Sequence, residues 1–140
     1  MSTYLVDVNV LIALADRNHT HHTSASLWIR TVGAQGWATC PMVECAVVRI
    51  LSAGSIPGNY PPDMAHDIVC RFRKLPGHRF IPDDVEIDEA HNQLSQVKGS
   101  NQVTDAYLLA LCRKHGLKLA TFDQRIEPAL APGEGIVEHM

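Results

Sequence analysis

Three carboxylates stand inside apolar runs, where a charge needs a reason to be. Asp7 lies in Tyr-Leu-Val-Asp-Val-Asn-Val-Leu-Ile, Glu44 in Met-Val-Glu-Cys-Ala-Val-Val, and Asp105 in Val-Thr-Asp-Ala-Tyr-Leu-Leu-Ala-Leu. An ionised carboxylate taken out of water without a partner is strongly disfavoured, so each requires a cation or hydrogen-bond donors close by. If the fold gathers them, their repulsion adds to that cost, and a divalent cation held by carboxylate oxygens relieves it. Asp123, after Leu-Ala-Thr-Phe, is a fourth and weaker candidate. The chemistry this implies is metal-assisted hydrolysis, with a polarised electrophile and an acidified water.

Each acid also has an ordinary explanation. Asp105 in the first turn of a helix complements the macrodipole, and Thr104 before it is an N-cap candidate. Residues 108, 109 and 112 on the same helical face are Leu, Leu and Cys, however, so Asp105 shares the side expected to be buried. Glu44 has Val47, Val48 and Leu51 at i+3, i+4 and i+7, and Arg49, five residues on, points elsewhere. No local ion pair explains it. Asp7 can cap the helix after its strand, although Asn9 serves that purpose equally well. Asp123 can belong to a plain turn.

The elements that must position these acids follow from periodicity and punctuation. Residues 4–8 read as a buried strand and 10–16 as a helix leaving it directly. A His-rich loop over 18–23 precedes a helix over 24–34 with Leu27, Trp28 and Val32 inward, and residues 37–39 form a second strand. Pro41 opens a helix to about residue 52, and a Gly/Pro loop leads to a helix over 63–75 with Met64, Ile68, Phe72 and Leu75 on one face. A third strand at 80–81, a helix over 85–97, a helix over 104–114 ended by Gly116, a fourth strand over 117–121 and a weak fifth at 136–137 complete the reading. Strands alternating with helices predict an α/β fold of three layers, a parallel sheet of four to five strands covered on both faces. In such sheets ligands bind outside the carboxyl ends of the strands, the edge where all four acids fall.

The chain has 140 residues, 46% of them hydrophobic, a size that predicts one domain over 1–140. Its formal charge of −3 argues against a broadly basic coat, yet setting four site acids aside leaves the remainder at +1. Arg71, Arg73, Lys74 and Arg79 form a short basic stretch that either solvates a helix or meets phosphates. Trp28 and Trp37 are expected in the core. Cys40, Cys45, Cys70 and Cys112 are scattered, which predicts reduced, buried thiols rather than a disulfide framework. Cys40 and Cys45 with His19, His21 and His22 lack the second close pair a zinc site needs. No basic leader precedes the first strand pattern and no apolar stretch reaches membrane-span length, so a cytoplasmic location and no membrane partner are expected. There is no P-loop, GxSxG elbow or GxGxxG fingerprint.

Leu5-Val6-Asp7-Val8-Asn9-Val10-Leu11-Ile12, Glu44 followed by Arg49-Ile50-Leu51, Thr104-Asp105-Ala106-Tyr107-Leu108-Leu109-Ala110-Leu111, and Leu119-Ala120-Thr121-Phe122-Asp123 together resemble the PIN-domain ribonucleases, in particular the VapC-type toxins of toxin–antitoxin pairs. The resemblance implies a PIN-like fold, a rim of acids binding Mg²⁺ or Mn²⁺, and endonucleolytic cleavage of structured or single-stranded RNA. It also implies a cognate antitoxin in the acidic groove and a homodimer. Asp7, Glu44 and Asp105 match the family's three core acids and Asp123 the fourth. Asn9 matches the polar position that orders the first acid, with Thr104 and Thr121 as supporting residues. After Asp123 the sequence departs from the commonest pattern, with Gln124-Arg125-Ile126-Glu127 in place of a second acid and an aromatic. A phosphoacceptor receiver domain wants paired acids after the first strand and a lysine after the last, and a haloacid-dehalogenase-like phosphatase wants Asp where Asn9 stands. The remaining alternative is a catalytically silent PIN-like module whose acids receive a partner's basic side chains.

Overall fold

The structure, a computed structural model, describes residues 3–56, 60–95, 99–123 and 137–139. Its centre is a sheet of short strands: β1 (Tyr4–Val6), β2 (Trp37–Thr39), β3 (His78–Phe80), β4 (Lys118–Thr121) and β5 (Val137–His139). Every residue of β1 and β2 is buried. Covered on both faces, such strands read as continuous apolar runs rather than as alternation. The order is β3-β2-β1-β4-β5, with every adjacent pair parallel.

Six helices connect the strands: α1 (Val8–Ala15), α2 (His22–Arg30), α3 (Pro41–Leu51), α4 (Pro62–Phe72), α5 (His91–Leu94) and α6 (Val103–His115). From β1 the chain steps outward to β2 and β3, then returns past β1 to lay down β4. Right-handed crossovers therefore place α1 to α4 on one face and α5 and α6 on the other, giving the expected three layers. Within the layers α1 packs on α2 and α3, α3 on α4, and α5 on α6. One hydrophobic cluster, including Leu5, Leu11, Trp37, Val47, Leu108 and Leu119, joins the sheet to the helices. Both tryptophans are in it, as expected.

Local chemistry sets the element ends. Pro41 begins α3, where its missing N–H is not needed, and Val43, Val47 and Leu51 bury one stripe. Gly116, at φ +67°, closes α6 in the left-handed conformation. The reversal of direction across the sheet falls between β1 and β4, where the register pairs Leu5 with Leu119 and Val6 with Ala120. Asp7 and Thr121 thus leave the sheet at the same level.

Several sequence expectations are corrected. β1 ends at Val6, two residues early, and α1 starts at Val8, because Asp7 rather than Asn9 is the N-cap. Thr104 is not a cap: α6 starts at Val103 after Gln102, and Thr104 is an exposed residue of its first turn. The expected 85–97 helix is an irregular and turn segment before the single turn of α5; its last two residues lie outside those described. Leu27 (58% exposed) and Val32 (38%) face outward, since α2 starts at His22 and buries Ala25, Trp28 and Ile29. The expected 63–75 helix stops at Phe72, and Met64 on its predicted inner face is exposed. β3 begins two residues before the expected strand, at His78. Of the expected fifth strand, Ile136 lies outside the described residues. Cys40 and Cys112 are buried free thiols, whereas Cys45 is exposed and Cys70 half-buried.

Candidate active site

Asp7 carries two structural duties and a charge. At the end of β1 it is 6% exposed, and its Oδ1 accepts the Val8 N–H at 2.7 Å, capping α1. Its Oδ2 accepts the Thr121 hydroxyl at 2.8 Å and, more weakly, the Asn9 amide at 3.4 Å. A hydroxyl has one proton and two acceptor sites. Thr121 gives its proton to Asp7 and accepts from Asn9 Nδ2 (3.1 Å) and the Asp123 N–H (3.0 Å). Asn9 Oδ1 in turn accepts the Phe122 N–H at 3.2 Å. Side chains from the end of β1 therefore lock the end of β4, and the hydroxyl's valence is complete.

Burial pushes the Asp7 carboxyl above its ordinary pKa of 3.8, the bonds from Thr121 and Val8 oppose that rise, and the negative charge of Asp123 adds to it. Two acids from distant parts of the chain thus repel each other at the switch point of the sheet. Asp105 is half-buried in the first turn of α6, the helix that leads into β4, so that turn starts at the carboxyl edge of the sheet. The dipole at that helix end favours its charge.

Glu44, half-buried in the first turn of α3, sits in a second network. Its Oε2 accepts the hydroxyl of Thr39 at 2.5 Å, and Thr39 also bonds Nε2 of His78 at 2.8 Å. Its Oε1 accepts from Arg73 Nη1 at 3.4 Å. The guanidinium of Arg73 lies 4.8 Å above the Phe80 ring. Glu44 therefore has an ion-pair partner after all, reaching it from α4 across sequence rather than along its own helix. The pair is partly exposed, and such pairs contribute about 0–1 kcal/mol.

The four basic residues do not act as one row. Arg73 is engaged with Glu44, and Arg71 borders an apolar groove between α1, α2 and α4 that Leu14, Leu27, Ile68 and Phe72 also line. Lys74 and Arg79 are exposed. Thr104, exposed, takes no part in either network. Three participants had no signal in the acid pattern: Thr39, His78 and the stack of His21 on Phe122, whose rings lie 4.3 Å apart and 12° from parallel. Thr39 and His78 were legible only through strand register. Phe122 adjoins Asp123, so the stack borders the switch point.

Among the described residues no three His, Cys, Asp or Glu side chains are close enough to form a metal-holding group by themselves. Mg²⁺ does not require such a cage, since it keeps several waters and is held by one or two carboxylates together with substrate phosphate. A buried carboxylate whose ionisation is disfavoured by burial and by a second acid is a hard-oxygen donor suited to that ion. The donor chemistry fits.

The model of the PIN-domain family matches residues 4–129. Ribonuclease VapC39 of Mycobacterium tuberculosis is 38% identical over 133 residues, covering 94% of this chain and 96% of its own. Ribonuclease VapC44 of the same species is 39% identical over 132 residues, covering 92% of each. Among solved structures, VapBC2 from Rickettsia felis bound to a DNA fragment from their promoter contains a chain with TM-score 0.67 and 10% identity, covering 98% of both, a likeness of fold. The chain belongs to the PIN-domain family, on the branch of the VapC ribonucleases.

Proposed function

We propose that this chain is a Mg²⁺-dependent endoribonuclease, the toxin of a type II toxin–antitoxin pair, with Asp7, Glu44, Asp105 and Asp123 as its working acids. The observation that carries the site assignment is the locked junction of β1 and β4, where Thr121 and Asn9 fix Asp7 against the repulsion of Asp123. Kinship with the VapC ribonucleases supports the RNA substrate.

Mg²⁺, with Mn²⁺ as substitute, would be held mainly by Asp7 and Asp105, with Glu44 and Asp123 as further donors, and supplies a Lewis acid and a water of lowered pKa. The chain's own groups do the rest. Asp7 is held at one orientation by three donors, so little reorganisation precedes the reaction. Glu44 and Asp123 orient the attacking water and take up its proton. Water oxygen bonds to phosphorus in line, the bond to O3′ breaks, and the leaving oxygen gains a proton, giving a 3′-hydroxyl and a 5′-phosphate. Lys74 and Arg79, exposed near the Glu44 network, are the basic side chains available to the RNA backbone.

The partner we expect is a small antitoxin whose Arg or Lys enters the acidic rim. That Glu44 already accepts an arginine in the free protein supports this mode of capture. The setting is the cytoplasm, where RNA is met, and no helix among the described residues is long and apolar enough to cross a membrane. We take the assembly to be a homodimer, since exposed Leu27 and Met64, beside the groove between α1, α2 and α4, offer apolar surface to cover.

The deciding experiment is RNA cleavage by the purified chain with Mg²⁺, with chelator, and as Asp7→Asn and Asp105→Asn. Cleavage should vanish with chelator and fall about a hundredfold or more in each variant. Normal cleavage by both variants would overturn the site; chelator-insensitive binding of a basic partner without any cleavage would favour the silent-module alternative.

A further inference from the structure

We propose that His78 and Thr39 form a directed donor relay, imidazole Nε2–H to hydroxyl to carboxylate, that positions Glu44 for the cleavage reaction. The proposal rests on Glu44 serving the reaction as inferred above, but the relay itself follows from hydrogen-bond valence. Thr39, the last residue of β2, is 1% exposed, and its hydroxyl has two side-chain partners: Glu44 Oε2 at 2.5 Å and His78 Nε2 at 2.8 Å. One proton must be assigned between them. The Glu44 carboxyl accepts from Arg73 on Oε1 and takes the Thr39 proton on Oε2. The hydroxyl must then accept from His78, which fixes the proton on Nε2.

Three features hold the imidazole in that role. The parallel register of β2 and β3 pairs Trp37 with His78 and Thr39 with Phe80, so Thr39 and His78 project on the same side of the sheet. The Trp37 ring meets the imidazole edge-on, with centroids 4.7 Å apart and 65° between planes. Burial, helped by the charge of Arg73, lowers the pKa of His78 to about 4, so near neutral pH the ring is a neutral Nε2–H tautomer rather than a cation. A side chain that merely filled space here would need shape alone. This one needs a donor at one atom.

The test uses the full chain, ring-¹⁵N-labelled at histidine, with Thr39→Ser, Thr39→Val, His78→Gln and His78→Leu. In the wild type, Nε2 of His78 should show the shift of a protonated ring nitrogen and Nδ1 that of an unprotonated one, and Thr39→Val should remove that preference. Cleavage by Thr39→Val and His78→Leu should need about tenfold more Mg²⁺ or lose activity to that extent, as is usual when a support behind a ligand is removed. Thr39→Ser keeps the hydroxyl and His78→Gln keeps an N–H donor, so both should stay close to wild type. A wild-type ring protonated on Nδ1 would overturn the relay whatever the kinetics, and a Thr39→Val protein with unchanged Mg²⁺ dependence would overturn its positioning role. If the wild type cuts no RNA, the ribonuclease reading fails separately. The ring tautomer still decides the relay, and calorimetric Mg²⁺ affinity of wild type against Thr39→Val decides the positioning.

Discussion

Asp7 is the residue on which local structure and chemistry compete most directly. Its Oδ1 caps α1 while its Oδ2 is held by Thr121, and burial raises its pKa in the folded chain. For an acid with a raised folded pKa, the folded state binds the proton more tightly than the unfolded one. Its stabilising contribution is therefore present below the unfolded pKa and is lost as pH rises through the folded value. At neutral pH the metal-free wild type carries that penalty. Asp7→Asn removes it while keeping an oxygen for the Val8 N–H, since Asn is also a good N-cap. With chelator present, the melting temperature of the variant relative to wild type should be most favourable at neutral pH and should decline into mild acid. A difference that does not change with pH would show that Asp7 is not the group titrating.

At the scale of elements, what was readable in sequence is what depends on the chain's neighbours. The apolar runs around Asp7, Glu44 and Asp105 marked the central strands and the helices beside them, because burial on both faces imposes composition directly. Helix ends were less legible: Asp7 and Asn9 are equally good cap residues, and only the reach of Asp7 Oδ1 to Val8 separates them. The Arg73 partner of Glu44 was invisible because it depends on how α4 lies against α3. The His78 contact was invisible because it depends on the register of β2 against β3. That register is held in part by Gly77, at φ +86°, whose carbonyl accepts the Trp37 N–H at 3.0 Å. A Cβ there would stand 2.6 Å from the Gly33 carbonyl oxygen and 2.8 Å from that of Ala34, both backbone atoms that cannot step aside. Gly77→Ala should cost about 3 kcal/mol or more, combining left-handed strain with that clash. Gly116→Ala, at φ +67° with open space around it, should cost only about 1–2 kcal/mol. Denaturant unfolding of the two variants measures the difference, and equal costs would mean that the Gly77 turn yields.

On the scale of the whole molecule, the topology brings Asp7 and Asp123, far apart in sequence, to one junction of the sheet, where the charge of Asp123 disfavours ionisation of Asp7. The chain's formal charge is −3, and Glu44 pairs with Arg73. A dication and a partner's guanidinium are thus two answers to the same electrostatic problem, and they cannot both occupy it. An antitoxin that inhibits by placing Arg on these carboxylates should bind less tightly as Mg²⁺ rises, and metal should be released as the complex forms. Part of any loss with MgCl₂ is plain screening, so the comparison must be made at constant ionic strength. Replacing the inserted Arg with Lys should weaken inhibition, because the bidentate fit to a carboxylate is lost while the charge remains. Inhibition measured over a range of Mg²⁺ with this control decides the matter. An inhibition constant indifferent to Mg²⁺ would place the antitoxin's hold elsewhere on the molecule and leave the acidic rim to metal and RNA alone.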